Sequence, residues 1–317
     1  MQISIVIPLL NEAESLRDLY QWITRVLETH GFSFEVVFID DGSEDESFAV
    51  LSQLAQEDAR VKVIRFRRNH GKSAGLKVGF EAAAGEVVFT MDADLQDSPD
   101  ELPELYRMVQ EEGYDLVSGW KKKRYDPLSK TIPTKFFNWA TRRMSKIPLH
   151  DFNCGLKAYR QEVVKNIEVQ GEMHRYIPVL AKAAGFKKIG EKVVQHRSRE
   201  HGHTKFGISR FINGPLDLIT LSFVSRFAKR PMHFFGLYGS LMFLVGFIAT
   251  IFIGVEKILA LRVGTPARLV TDNPFFYLAL TTMVLGTLLF LVGFLAELVI
   301  RNSPRQEEYT IAEKRNL

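Results

Sequence analysis

Asp92 and Asp94, in the stretch Val87-Val88-Phe89-Thr90-Met91-Asp92-Ala93-Asp94-Leu95-Gln96, are the residues best suited to chemistry in this sequence. The apolar run reads as a buried strand leaving the core. Side chains two apart on a strand share a face, so both carboxylates are expected to point the same way. Such a pair suits a hard divalent cation, Mg2+ or Mn2+, which takes oxygen ligands and keeps positions open for phosphate oxygens. Gln96 extends the same face. Alone, an Asp-x-Asp pair is more often a solvated turn, so its weight depends on what the chain brings beside it.

Two more polar clusters follow apolar runs. Met1 to Pro8 is β-branched and reads as a central parallel strand, with Asn11-Glu12 beyond it; Phe34 to Ile39 reads as a second strand ending in Asp40-Asp41-Gly42-Ser43. Helical patterns separate these strands, with Leu16, Leu19, Ile23 and Leu27 on the first and Glu46 to Gln56 forming the next. The strand Val61 to Phe66 and a helix opened by Gly71-Lys72-Ser73 complete a β-α-β-α-β-α-β alternation with the Asp92 strand. That order predicts a doubly wound α/β domain whose ligands lie beyond the carboxy ends of the strands. All three polar clusters fall at that edge.

Familiar nucleotide signatures are missing. No G-x-G-x-x-G follows the first strand, and Gly71-Lys72-Ser73 ends like a P-loop but has Phe66 where the first glycine belongs. Lys72 either faces a phosphate at a helix start or is an ordinary surface lysine. Further on, a helix (Asp100 to Glu112) and a strand (Asp115 to Ser118) lead to the basic loop Lys121 to Arg124. Leu128 to Met144 reads as a long helix, and Val193 to Arg197 as a strand before a loop rich in cations and histidines that runs to Gly207. Asp151, in His150 to Arg160, has the type and setting of a turn former.

Composition narrows the class. The 317 residues carry 41 Lys+Arg against 37 Asp+Glu, a net charge of +4, too small to argue for a nucleic-acid partner. One cysteine, Cys154, excludes an intrachain disulfide. Mean hydropathy near zero hides two populations. Met232 to Gly254 contains no Asp, Glu, Lys or Arg, and Pro274 to Ile300 contains only Glu297. Each exceeds the roughly 20 apolar residues that span a bilayer. Before them, Ile208 to Arg230 sets Ile212, Leu216, Ile219, Phe223 and Phe227 against Arg210, Asp217, Arg226, Lys229 and Arg230, the pattern of an interfacial helix. The run Ile3 to Leu10 is short and lacks a basic leader, so no signal peptide is expected, and both termini are expected in the cytoplasm.

Taken in order, Pro8 to Glu12 (PLLNE), Asp40 to Ser43, Asn69 to Lys72 (NHGK) and Met91 to Gln96 (MDADLQ) resemble the inverting glycosyltransferase family 2 with its GT-A fold. Over residues 1 to about 210 the likeness is to polyprenyl-phosphate glycosyltransferases of the dolichol-phosphate mannose synthase type. DFNCGLKAYR, the GHTKFG loop and the two carboxy-terminal spans fit that group. The resemblance implies a GT-A domain over 1–210, a juxtamembrane amphipathic segment over 211–231, a two-helix membrane domain over 232–300 and a cytoplasmic tail over 301–317. It implies transfer of a hexose from a nucleotide diphosphate sugar, UDP-glucose-like or GDP-mannose-like, to a polyprenyl phosphate at the inner face of the plasma membrane. Pro8, Asn11, Glu12, Asp40, Asp41 and Lys72 match nucleotide-binding positions, and Asp92, Asp94 and Gln96 match the holders of Mg2+ or Mn2+. Arg124, Arg197 and Lys205 are the expected contacts of the pyrophosphate and acceptor phosphate, with Asp151 beside them as base or orienting group. Self-association through the two spans is left open. A processive synthase of the superfamily would show Gln-x-x-Arg-Trp, which does not occur here. A non-catalytic nucleotide-sugar scaffold or flippase subunit rests only on Glu297, which interfacial snorkelling explains.

Overall fold

The computed structural model describes residues 1–122, 128–169, 171, 173–197, 231–264, 269–302 and 311–315. Two bodies divide the chain: Met1–Leu221 with Glu307–Leu317, and Ser222–Gln306.

The first body is built on an eight-stranded mixed sheet of order β7-β5-β6-β4-β1-β2-β3-β8. Its centre is β1 (Ile3–Leu9), flanked by β2 (Phe34–Asp40) and β4 (Val87–Thr90), all parallel, with β3 (Val61–Phe66) parallel to β2. β1 and β2 are buried along nearly their whole length, which is why they read as continuous apolar runs rather than alternating ones. Helices cover both faces. On one face α1 (Ala13–Thr29), α2 (Ser47–Glu57) and α4 (Leu102–Gln110) enclose a core around Ile5, Ile7, Phe38 and Phe89. On the other, α3 (Lys72–Ala82), α6 (Gln161–Asn166) and α7 (Ile177–Ala183) enclose Val6, Val37, Ile39 and Val88. α5 (Leu128–Ser145) contributes Phe137 to a smaller cluster with Leu149, Phe152 and Tyr176.

Two expected strand bounds are corrected, for the Asp92 strand and the strand over 193–197, and the sheet and tail add two features the sequence does not announce. β4 ends at Thr90, and Met91 to Gln96 is irregular, with Leu95 at φ 59; Asp92 and Asp94 therefore do not alternate along a strand. Beyond β4 the sheet is no longer purely parallel, because β6 (Lys157–Arg160) runs antiparallel to both β4 and β5 (Leu116–Trp120). The strand expected over 193–197 lies earlier, as β7 (Ile189–Val193), and only an isolated bridge between Asp97 and His196 extends it. The carboxy-terminal tail contains β8 (Ile311–Arg315), which pairs antiparallel with β3.

The second body is a helical hairpin, α8 (Pro231–Arg262) and α9 (Pro274–Asn302). Both helices are long and apolar enough to cross a membrane. Glycine lets them touch: a Cβ on Gly239 would sit 2.7 Å from the Gly286 carbonyl oxygen, and one on Gly246 2.6 Å from that of Ala279.

Candidate active site

Neighbouring parallel strands β2, β1 and β4 deliver the three predicted clusters to one edge of the sheet. At the end of β1 the chain turns through Asn11 at φ 52, a conformation that asparagine tolerates better than most residues. Asn11 ties two loops together, its N–H donating to Ser43 Oγ (2.9 Å) and its Oδ1 accepting from the Glu44 N–H (2.8 Å). The Glu12 N–H donates to Ser47 Oγ (3.0 Å), and Pro8 borders a cavity beside Asp92. The Asp40 carboxylate accepts from the Ser43 N–H (2.8 Å) and pairs with Arg65 (3.3 Å). Asp41 accepts from the His70 (2.7 Å) and Gly71 (2.9 Å) N–H groups, fixing the turn that opens α3. Both are buried. Their carboxylates shape the edge from within.

Lys72, at the first position of α3, forms an ion pair with Asp92. Burial would raise the Asp92 carboxyl pKa, but Lys72, Lys121 and Lys157 together hold it well below the usual range. Asp94 shifts the other way, pushed up to about 6 by burial and by the neighbouring charges of Asp92 and Asp97. Its carboxylate accepts from the Gln96 N–H (3.3 Å). Asp97 is fully buried and pairs with Lys121 at 2.7 Å. Among the described residues no three His, Cys, Asp or Glu side chains converge on one point as a closed metal cage. The Asp92–Asp94–Gln96 loop supplies hard oxygen donors, and the raised Asp94 marks a surplus of negative charge that a divalent cation would relieve. Those residues fit an open site completed by ligand oxygens.

Two cavities open in this body, of which the first borders this loop. One, of about 220 Å³, is bordered by Pro8, Lys72, Asp92, Gly155, Lys157, His174 and Arg175 among others. The other, of about 470 Å³, lies beyond β5, lined by Trp120, Lys122, Lys135, Trp139, Arg142, His150 and Asp151 among others. In it Trp120 stacks on His150, ring centroids 4.1 Å apart, and Glu191 holds His150. The segment from Asp151 to Lys157 links the two, with Asp151 at one cavity and Asn153 to Lys157 at the other. Asp151 is 1% exposed and its Oδ1 accepts from the Asn153 N–H (3.0 Å), which makes it the turn former its type predicts.

The remaining predicted residues divide. Arg197 is joined to the loop by its backbone, donating to the Gln96 carbonyl (3.0 Å), while its guanidinium lies 4.2 Å over the Trp22 ring. Arg124 and Lys205 lie outside the described residues, as do the rest of the GHTKFG loop and the interfacial segment 211–230. Sequence reasoning missed Asp97, Gly155, Lys157 and Arg175. Gly155 had a visible signal, a glycine after the polar start of DFNCGLKAYR. It leaves room for Asp92, whose carboxylate occupies the space a Cβ there would need.

A mixed sheet of this order, with carboxylates and cations at the carboxy ends of its parallel strands, defines a GT-A-like sugar-nucleotide transferase fold. Residues 4–168 match the family described as Glycosyl transferase family 2, and the chain belongs to that family. It is 31% identical over 311 residues to the dodecaprenyl-phosphate galacturonate synthase of Rhizobium johnstonii, covering 97% of this chain and 90% of that protein. It is 36% identical over 245 residues to the undecaprenyl-phosphate 4-deoxy-4-formamido-L-arabinose transferase of Pseudomonas syringae pv. syringae, covering 77% and 71%. In fold it is similar to the glucosyl-3-phosphoglycerate synthase of Mycobacterium tuberculosis, solved with Mn2+, UDP-glucose and phosphoglyceric acid. There the TM-score is 0.53 at 19% identity, over 71% of this chain and 79% of that one.

Proposed function

We propose that the protein transfers a glycosyl unit from a nucleoside diphosphate sugar to a polyprenyl phosphate at the cytoplasmic face of the plasma membrane. The observation that carries this reading is the larger cavity, where Lys122, Lys135 and Arg142 stand beside the aromatic faces of Trp120 and Trp139. Cations suit a phosphate, and the two indoles suit the first apolar units of a prenyl chain. Two helices able to cross a bilayer, together with the acceptors named for the two relatives, support the same acceptor class.

In the reaction an oxygen of the acceptor phosphate attacks the anomeric carbon. The bond from that carbon to the donor's diphosphate breaks, and its electron pair leaves with the nucleoside diphosphate. A phosphate monoester has a second pKa of about 6 and is largely dianionic at neutral pH. It needs cations to hold it more than a base to deprotonate it. Asp151 accordingly shapes the turn between the two cavities and lends them polarity. Asp92, Asp94 and Gln96 would hold Mg2+ or Mn2+, and such an ion would supply positive charge for the departing diphosphate.

The test is the linkage formed when membranes containing the protein are incubated with labelled nucleotide sugars and undecaprenyl phosphate. Label in a lipid product that mild acid releases is the expected result. An acid-stable product would mean a hydroxyl acceptor and return Asp151 to the role of general base.

A further inference from the structure

We propose that His150, aimed by Glu191, is a contact of the acceptor phosphate in the larger cavity, and that its Nε2 is the atom that meets the phosphate. This rests on the phosphate-acceptor reading above and adds to it one binding residue and one positioning residue.

His150 is held by its ring as well as by its backbone. The chain on either side is already fixed: Arg142 Nε donates to the Leu149 carbonyl (2.8 Å) and Ser118 Oγ to the Asp151 carbonyl (3.2 Å), and the Leu149 and Asp151 side chains are buried. Glu191, on β7, nevertheless commits both carboxylate oxygens to this one residue. Oε2 accepts from the His150 N–H (2.7 Å), and Oε1 takes the Nδ1 side of the ring. The imidazole also lies flat on the Trp120 indole, with 4.1 Å between centroids and 12° between planes. Yet the His150 side chain is 46% exposed. Ordering an exposed side chain costs conformational entropy and gains little burial. What the two ring contacts secure is the direction of the imidazole.

The carboxylate sets what that direction offers. A carboxylate only accepts, so Nδ1 carries a proton and Nε2, across the ring, is the nitrogen left for a ligand. Among the described residues no hydrogen bond reaches Nε2. His150 lines the cavity together with Lys122, Lys135 and Arg142, whereas Glu191 does not line it. The acid therefore acts on a ligand only through the imidazole. Against a phosphate monoester the contact forms with the shared proton on either side. The phosphate O–H donates to Nε2, or the imidazolium Nε2–H donates to a phosphate oxygen, with the Glu191 charge balancing the imidazolium. Both are charge-assisted hydrogen bonds, which a hydroxyl acceptor could not match.

The experiment measures Kd of the full-length protein in detergent for farnesyl phosphate and for farnesol, with melting temperatures to confirm that each variant folds. The parent is expected to prefer the phosphate. His150→Phe keeps a flat ring for Trp120 and removes both nitrogens, and it should weaken farnesyl phosphate by about 10- to 100-fold while leaving farnesol unchanged. His150→Gln, which returns an amide N–H, should recover part of the loss. Glu191→Gln should weaken the phosphate less, and the double variant with His150→Phe should be no worse than His150→Phe alone, because Glu191 acts through His150. A folded His150→Phe that binds farnesyl phosphate as the parent does, or losses that add in the double variant, would overturn the assignment while the parent's preference for phosphate leaves the acceptor reading standing. If His150→Phe does not fold, Glu191→Gln carries the test, since its amide oxygen still accepts from the His150 N–H; a parental Kd there would overturn the assignment equally. A parent that binds farnesyl phosphate and farnesol alike would overturn the acceptor reading, and this inference with it.

Discussion

Gly155 decides where the Asp92 carboxylate can sit, since any Cβ at that position would occupy the carboxylate's place. Gly155→Ala should therefore displace Asp92 and its Lys72 partner and lower kcat/KM by roughly 10- to 100-fold, the scale on which small misplacements act. An unchanged rate in that variant would show that the position of Asp92 is immaterial. Asp94→Asn tests the metal assignment. Turnover should be lost at any practical Mg2+ or Mn2+ concentration, and near-normal activity would remove the assignment. The pKa of Asp94 is raised from 3.8 to about 6, so in the metal-free protein its ionisation works against the fold as pH rises through about 6. The asparagine variant should consequently melt no lower than the parent at pH 8 without metal. Asp92, Asp94 and Asp151 were legible because their spacing and type are local signals. Gly155, Lys157 and Asp97 matter through contacts with residues far away in sequence, such as Asp92 for Gly155 and Lys121 for Asp97, and no local pattern announces that.

Among the elements, β1, β2 and the turn from α3 to β4 are joined by one buried glutamate. Glu35 accepts from Ser4 Oγ and from the Ala84 N–H (2.8 Å) and pairs with Lys62 at 2.8 Å, while Ser4 Oγ accepts from the Gly85 N–H (2.7 Å). Burial alone would raise its pKa, but Lys62, Ser4 and Ala84 outweigh it and the net shift is downward. A lowered carboxylate pKa gives stability that is complete above the ordinary glutamate value and lost as pH falls through the lowered one. Glu35→Gln should cost about 1–3 kcal/mol at pH 7 and progressively less in acid, read from melting temperatures of the detergent-solubilised protein. A cost independent of pH would mean that the charge contributes nothing. The parallel strands were legible because burial on both faces selects unbroken β-branched runs, as in Ile3–Leu9 and Phe34–Asp40. β4 was read too long because Met91, Ala93 and Leu95 stay buried after the strand has ended, so the apolar signal outlasts the ladder. β8 carries no such run, and only its pairing with distant β3 makes Ile311–Arg315 a strand.

At the scale of the molecule, that pairing constrains topology. The sheet that opens with Ile3 closes its edge with Ile311–Arg315, and the two apolar helices lie between them in sequence. A membrane-crossing hairpin must then leave and return on one side. In intact cells an impermeant thiol reagent should label a cysteine placed at Leu269, between the helices, and miss one placed at Gln56, with native Cys154 buried in both variants. The reverse pattern would overturn the cytoplasmic placement. The central claim is that the acceptor is a phosphate. Its most direct test is one rate comparison: the purified full-length protein, with any donor it accepts, offered undecaprenyl phosphate or undecaprenol in the same detergent. Glycosyl transfer to the phosphate, with none detectable to the alcohol, is the predicted result; comparable transfer to undecaprenol would contradict it.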